Sequence, residues 1–138
     1  MIRAAILVFS ILFAGAGFAG GPTASAENAS VYFISPADGD TVSSPVRVVF
    51  GLRGMGVAPA GTDKANTGHH HLIIDAELPA ADAPVPADAQ HVHFGGGQTE
   101  VEVELTPGTH TLQLLLGDMN HVPHNPPVYS DKITITVK

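Results

Sequence analysis

"TEVEVEL", Thr99 to Leu105, alternates without a break between apolar and acidic residues. In an extended chain successive side chains point to opposite faces, so Val101, Val103 and Leu105 share one face and Glu100, Glu102 and Glu104 the other. A strand with one side on a core and one in water needs this pattern, and a helix would scatter it. Working outward, the same period recurs. "PVRVVFGLRG" sends Val46, Val48, Phe50 and Leu52 inward and Arg47, Val49 and Arg53 outward. "VYFISP" is a strand closed by Pro36 and the Asp38-Gly39 turn, and "HHHLIIDAEL" is another. "HTLQLLLGD" buries Leu112, Leu114 and Leu116, while "DKITITVK" buries Ile133, Ile135 and Val137. From Leu78 to Gln90 runs an Ala/Pro/Asp-rich crossing, a loop with solvated aspartates and at most a short strand ending at "HVHF".

No segment keeps a helical period. Six or seven short strands separated by turn signals predict an all-β fold, an immunoglobulin-like β-sandwich of about seven strands, with a small β-barrel as the alternative.

The first 26 residues are read apart from this fold. "MIRAAILVFSILFAGAGFAG" carries basic Arg3, an apolar run from Ala4 to Phe18, and then small residues leading to Ala24-Ser25-Ala26. That is the layout of a secretory signal peptide cleaved before Glu27. The expected location is therefore periplasmic or secreted, with no membrane span after cleavage. The chain has no Cys, so a lipoprotein anchor and disulfides are both excluded. Residues 27–138 then form one β-sandwich domain whose core alone must hold it together.

Composition narrows the partners. Without Arg3 five of the six basic residues remain against 13 acidic ones, a net charge of about −8 with His neutral. Such a surface argues against nucleic acid or an anionic membrane as partner.

Eight histidines are the other signal. In a sandwich of this order, the loops before the third strand, before the fifth and between the last two meet at one end. That end collects His69, His70, His71, His91, His93, His121 and His124. His110 opens the sixth strand, roughly 26 Å away at the usual rise per residue, and stays out of the cluster. His91 and His93 stand on the same side of an extended segment, roughly 7 Å apart, as do His69 and His71. His70 faces the other way with Leu72 and Ile74, as a core-edge residue. "HVPH" offers His121 and His124 on a proline-stiffened loop, where Asp118 and Met119 could add a carboxylate and a thioether. Imidazoles without thiolates suit Cu(II), Zn(II) or Ni(II), so a copper or zinc ion is the expected ligand. The candidate metal ligands are His69, His71, His91, His93, His121 and His124, with Asp118 and Met119 secondary. Protonation near the ordinary imidazole pKa of about 6.5 should then compete with the metal.

The motifs "HHHLIID", "HVHFGGGQTE", "PGTHTLQLLLGD" and "HVPHNPPV" together resemble the bacterial exported family described as domain of unknown function 4399. The matching positions are His69 to His71, His91, His93, Gly95, Gln98, Thr99, Glu100, His110, Asp118, His121, His124 and Pro127. Gly96 departs from a Lys often found there. The resemblance implies no established activity. Two other readings stand beside metal binding: an envelope protein-interaction module whose histidines are structural, and a His-ligated metalloenzyme. No Ser-His-Asp or Cys-His arrangement has a credible nucleophile.

Overall fold

The computed structural model describes residues 21–138. Most of the signal-peptide reading lies outside the described residues. Residues 21–26 are inside them, and Ser25 N donates to Asn125 O at 3.1 Å.

The described residues form nine strands and no helix: β1 Ser30–Ser35, β2 Thr41–Val42, β3 Val46–Arg53, β4 Gly56–Val57, β5 Thr67–Ile74, β6 His91–His93, β7 Glu100–Val103, β8 Gly108–Gly117 and β9 Ile133–Val137. The main strands fall where alternation predicts them. The count exceeds seven because β2 and β4 are two-residue pairings too short to carry a period. Two sheets make the expected sandwich, β1-β3-β7 on one side and β2-β9-β8-β5-β4 on the other, with β6 also paired to β5. No helix of the described residues is long and apolar enough to cross a membrane.

The core fills the space between the sheets. Val46, Val48 and Phe50 from β3 meet Leu72 and Ile74 from β5, Leu112, Leu114 and Leu116 from β8, and Ile133, Ile135 and Val137 from β9. "TEVEVEL" behaves as its pattern requires. Val101 pairs with Val48 and Val103 with Val46, while Arg47 reaches Glu100 at 2.7 Å on the exposed face.

The outer face of the larger sheet departs from the sequence expectation. Every β5 residue from Gly68 to Ile74 is buried, on both faces. The crossing explains this: Val85 packs with Ile73 and Leu115 as a second small cluster, flanked by Ala76 and Leu78. The crossing is thus a cover over one sheet face, and one aspartate before it and one within it hold structure. Asp75 accepts from Thr111 N at 2.8 Å, and Asp88 from Gln90 N at 2.9 Å.

Two histidines serve the fold: His70 lies on the core side that its parity predicts, without the backbone carbonyl partners expected of it, and His110 lies away from the cluster. His70 is fully buried among the core residues, its ring 5.1 Å from that of Phe50. Neither of its ring nitrogens has a hydrogen-bond partner among the described residues. His110, at the far end, binds Asp75 Oδ2 through Nδ1 and Thr106 O through Nε2, both at 2.7 Å. Two acceptors ask for two N–H donors, which only the protonated ring supplies.

The two residues make stability depend on pH in opposite ways. Burial lowers the His70 pKa to about 4, so between 6.5 and 4 the unfolded chain binds the extra proton and stability falls as pH falls. Replacing His70 by Leu in the metal-free protein should remove roughly 2 kcal/mol of the stability lost between pH 7 and pH 5; an unchanged loss in denaturant titrations would refute this. The hydrogen bond to Asp75 raises the His110 pKa. Its contribution is complete below about 6.5 and fades as pH rises through the raised folded value. His110→Gln should therefore cost about 1–2 kcal/mol at pH 6 and less at pH 9.

Candidate metal centre

The outer face of β5 presents His69 and His71, because alternation that sends His70, Leu72 and Ile74 into the core turns these two away from it. Their rings lie 4.5 Å apart between centroids. β6 runs antiparallel to β5 and pairs His93 with His71, which brings those rings to 4.4 Å. The turn after β8 supplies the fourth imidazole. His121 sits there at φ 63°, a left-handed conformation uncommon outside glycine and costly unless its surroundings hold it.

Asp118 is what holds it. Its Oδ1 accepts from Asn120 N at 2.8 Å and Val122 N at 3.0 Å, and its backbone oxygen accepts from His121 N at 3.0 Å. From the other side, Val85 N in the crossing donates to His121 O at 2.8 Å.

One ring nitrogen from each of His69, His71, His93 and His121 lies within 4.8 Å of the other three. His121 Nδ1 is 3.0 Å from both His69 Nε2 and His93 Nδ1. Ligands at about 2.0–2.1 Å from one ion stand about 2.8–3.4 Å from each other at right-angled to tetrahedral geometry, so the two 3.0 Å contacts of His121 fit a shared metal, within a set whose atoms spread over no more than 4.8 Å. These four residues could hold a metal ion.

Proton counting favours that use of the nitrogens. His93 Nε2 lies 2.9 Å from Pro86 O, which can only accept, so Nε2 carries the ring proton and Nδ1 of the neutral ring offers its lone pair to the cluster. A ligating imidazole is commonly fixed in this way by a carbonyl behind it. His121 Nδ1 has at most one proton to share between His69 and His93. His71 receives none, since both its ring nitrogens are buried with no partner among the described residues. Leaving polar atoms so placed costs about 1–3 kcal/mol, whereas a metal would use the lone pair.

His69, His71 and His121 are biased toward the neutral ring, the form that binds metal. Desolvation, then the neighbouring His121 and His93, lower the His69 pKa to about 4. Desolvation, then His69, His93 and His121, lower that of His71 to about 2. Desolvation and His93 lower that of His121 too, against the opposing charge of Asp118. Competition from protons at these three rings therefore begins at a lower pH than the ordinary imidazole value used in the sequence reading.

Of the eight sequence candidates, the structure brings together four. His91 pairs with Ile73, one step along the same face, and its Nδ1 lies 2.8 Å from Asp88 Oδ1. His124 is buried with Nδ1 3.0 Å from Thr23 Oγ1. The carboxylate of Asp118 is occupied by backbone amides. Met119 lines a cavity of about 340 Å³ with Asp118, His124 and the Thr62–Thr67 segment, beside the cluster and outside it.

Some contributors had no signal in the sequence. Gly117 lies against the His71 ring so closely that a Cβ there would collide with its Cε1. Pro86 acts through its backbone carbonyl, which any residue would provide. Neither role depends on a recognisable side chain, and only the folded geometry reveals it.

Comparison with known proteins gives one result. No curated protein and no solved structure matches the chain at a significant level. A family model does, over residues 48–138, a span that contains all four histidines of the cluster and the β-strands that place them. The chain therefore belongs to the family described as a domain of unknown function, DUF4399.

Proposed function

We propose that this protein binds one transition-metal ion, copper or zinc, through His69, His71, His93 and His121, and acts after export in storing, delivering or sensing that metal. The observation that carries the reading is the convergence of four imidazoles that include His71, whose buried ring nitrogens have no hydrogen-bond partner among the described residues. An all-nitrogen donor set suits both metals. Four protein ligands fill a tetrahedral ion, whereas catalytic zinc sites keep a position open, so binding is favoured over catalysis.

The deciding experiment is elemental analysis of untagged mature protein, followed by calorimetric titration with Cu²⁺ and Zn²⁺. Near-stoichiometric binding is expected in the wild type. His71→Ala and His93→Ala should each lose at least about a hundredfold in affinity, because each removes a ligand and leaves an incomplete set. No heat and no metal in the wild type would refute the reading.

Gly117→Ala gives a second check that keeps all four ligand residues in the sequence. The added Cβ must displace the His71 ring. Affinity should fall at least about tenfold, and stability by about 1–3 kcal/mol through overpacking. An unchanged affinity would mean that His71 is not a ligand.

A further inference from the structure

The four-ligand reading leaves one imidazole on the same sheet face unused. His91 precedes His93 by two residues on β6, so both rings project to the face that carries His71 and Ile73. Its setting differs from that of the two deepest ligands, whereas His93 and His121 are half-buried as it is. His69 and His71 are 1% and 0% exposed, and an ion reaching them must first lose its hydration shell. The His91 side chain is 12% exposed, and Asp88 beside it 52%.

The pairing with Asp88 fixes the ring. A carboxylate accepts, so the 2.8 Å contact places the proton on Nδ1 and leaves Nε2 of the neutral ring with a lone pair. No hydrogen bond among the described residues engages Nε2. Asp88 is itself held, since its Oδ1 also accepts from Gln90 N and its backbone oxygen from His91 N at 3.3 Å. A histidine oriented by a carboxylate is the arrangement that metal ligands commonly show. Here it stands next in line to a half-buried ligand on the same strand, His93.

Resting on the four-histidine reading, we propose that His91, oriented by Asp88, is the acquisition ligand of this site. It takes the hydrated divalent ion at the surface while the ion still keeps most of its water, and hands it to half-buried His93 and from there to the buried pair His69 and His71. Release follows the same path in reverse. A residue on the path but outside the final coordination set changes the rates of entry and exit together and leaves the equilibrium alone.

The test is stopped-flow kinetics with Zn²⁺, using a chromophoric chelator to report the free ion, on the wild type, H91A, H91Q and D88A. Both His91 variants should slow association and dissociation by the same factor, about tenfold, with Kd unchanged. D88A should slow them less, because the imidazole remains but loses its fixed tautomer. Thermal unfolding of each variant shows whether it is folded, and H91Q keeps a polar side chain at that position should H91A fold poorly. Wild-type association rates in both His91 variants would overturn the proposal. So would a weakened Kd at an unchanged association rate, which would make His91 a resident ligand or a brace. Absence of zinc binding in the wild type would overturn the four-histidine reading as well, and this outcome is seen before any variant is made.

Discussion

Everything about this molecule turns on the burial of β5 on both faces. Its inner face meets the second sheet, as in any sandwich, but its outer face is sealed as well, by the crossing that carries Val85 and by the turn after β8. A strand covered on both sides is normally a continuous apolar run. This one places His69 and His71 under the cover, where water cannot satisfy them. Polar groups so placed need partners; His69 finds one in His121, while His71 has none among the described residues and lies beside the ring of His93.

The supports of the cluster follow from that constraint. Imidazoles gathered without a compensating charge are stable only while neutral, and burial together with mutual repulsion keeps His69, His71 and His121 so. Neutral rings offer lone pairs, and the carbonyl of Pro86 decides which nitrogen of His93 does the offering. Asp118 supplies the nearby negative charge and, through the amides of Asn120 and Val122, shapes the turn that holds His121 left-handed. The turn is anchored to the crossing by the bond from Val85 N, so the cover and the site are one structure.

The histidines divide by their environments rather than by their sequence neighbourhoods. Within the triplet, His70 is a core residue beside Phe50, while its neighbours on either side belong to the cluster. His110 is a brace between β8 and Asp75 at the other end of the molecule. His124 packs close to Gly68, where a Cβ would come within 2.7 Å of its Nε2. Identical side chains thus carry pKa values moved in opposite directions, downward where burial dominates and upward where a carboxylate and a carbonyl accept two bonds.

What the sequence by itself determined is whatever depends on period and composition. Alternation in "TEVEVEL", "PVRVVFGL" and "ITITV" gives the strands and the sides they bury, and it separates His70 from His69 and His71 without any coordinates. The length of β8 likewise places His110 away from the rest. Tertiary structure decided which histidines meet. His91 and His93 share a face, yet the register of β6 against β5 sets His93 opposite His71 and His91 opposite Ile73, and a period of two cannot distinguish them. The crossing reads as a loop because its composition is rich in Ala and Pro, with aspartates expected to be solvated. Its role as a lid rests on Val85 and on backbone groups of Val85 and Pro86, and backbone groups are common to every sequence.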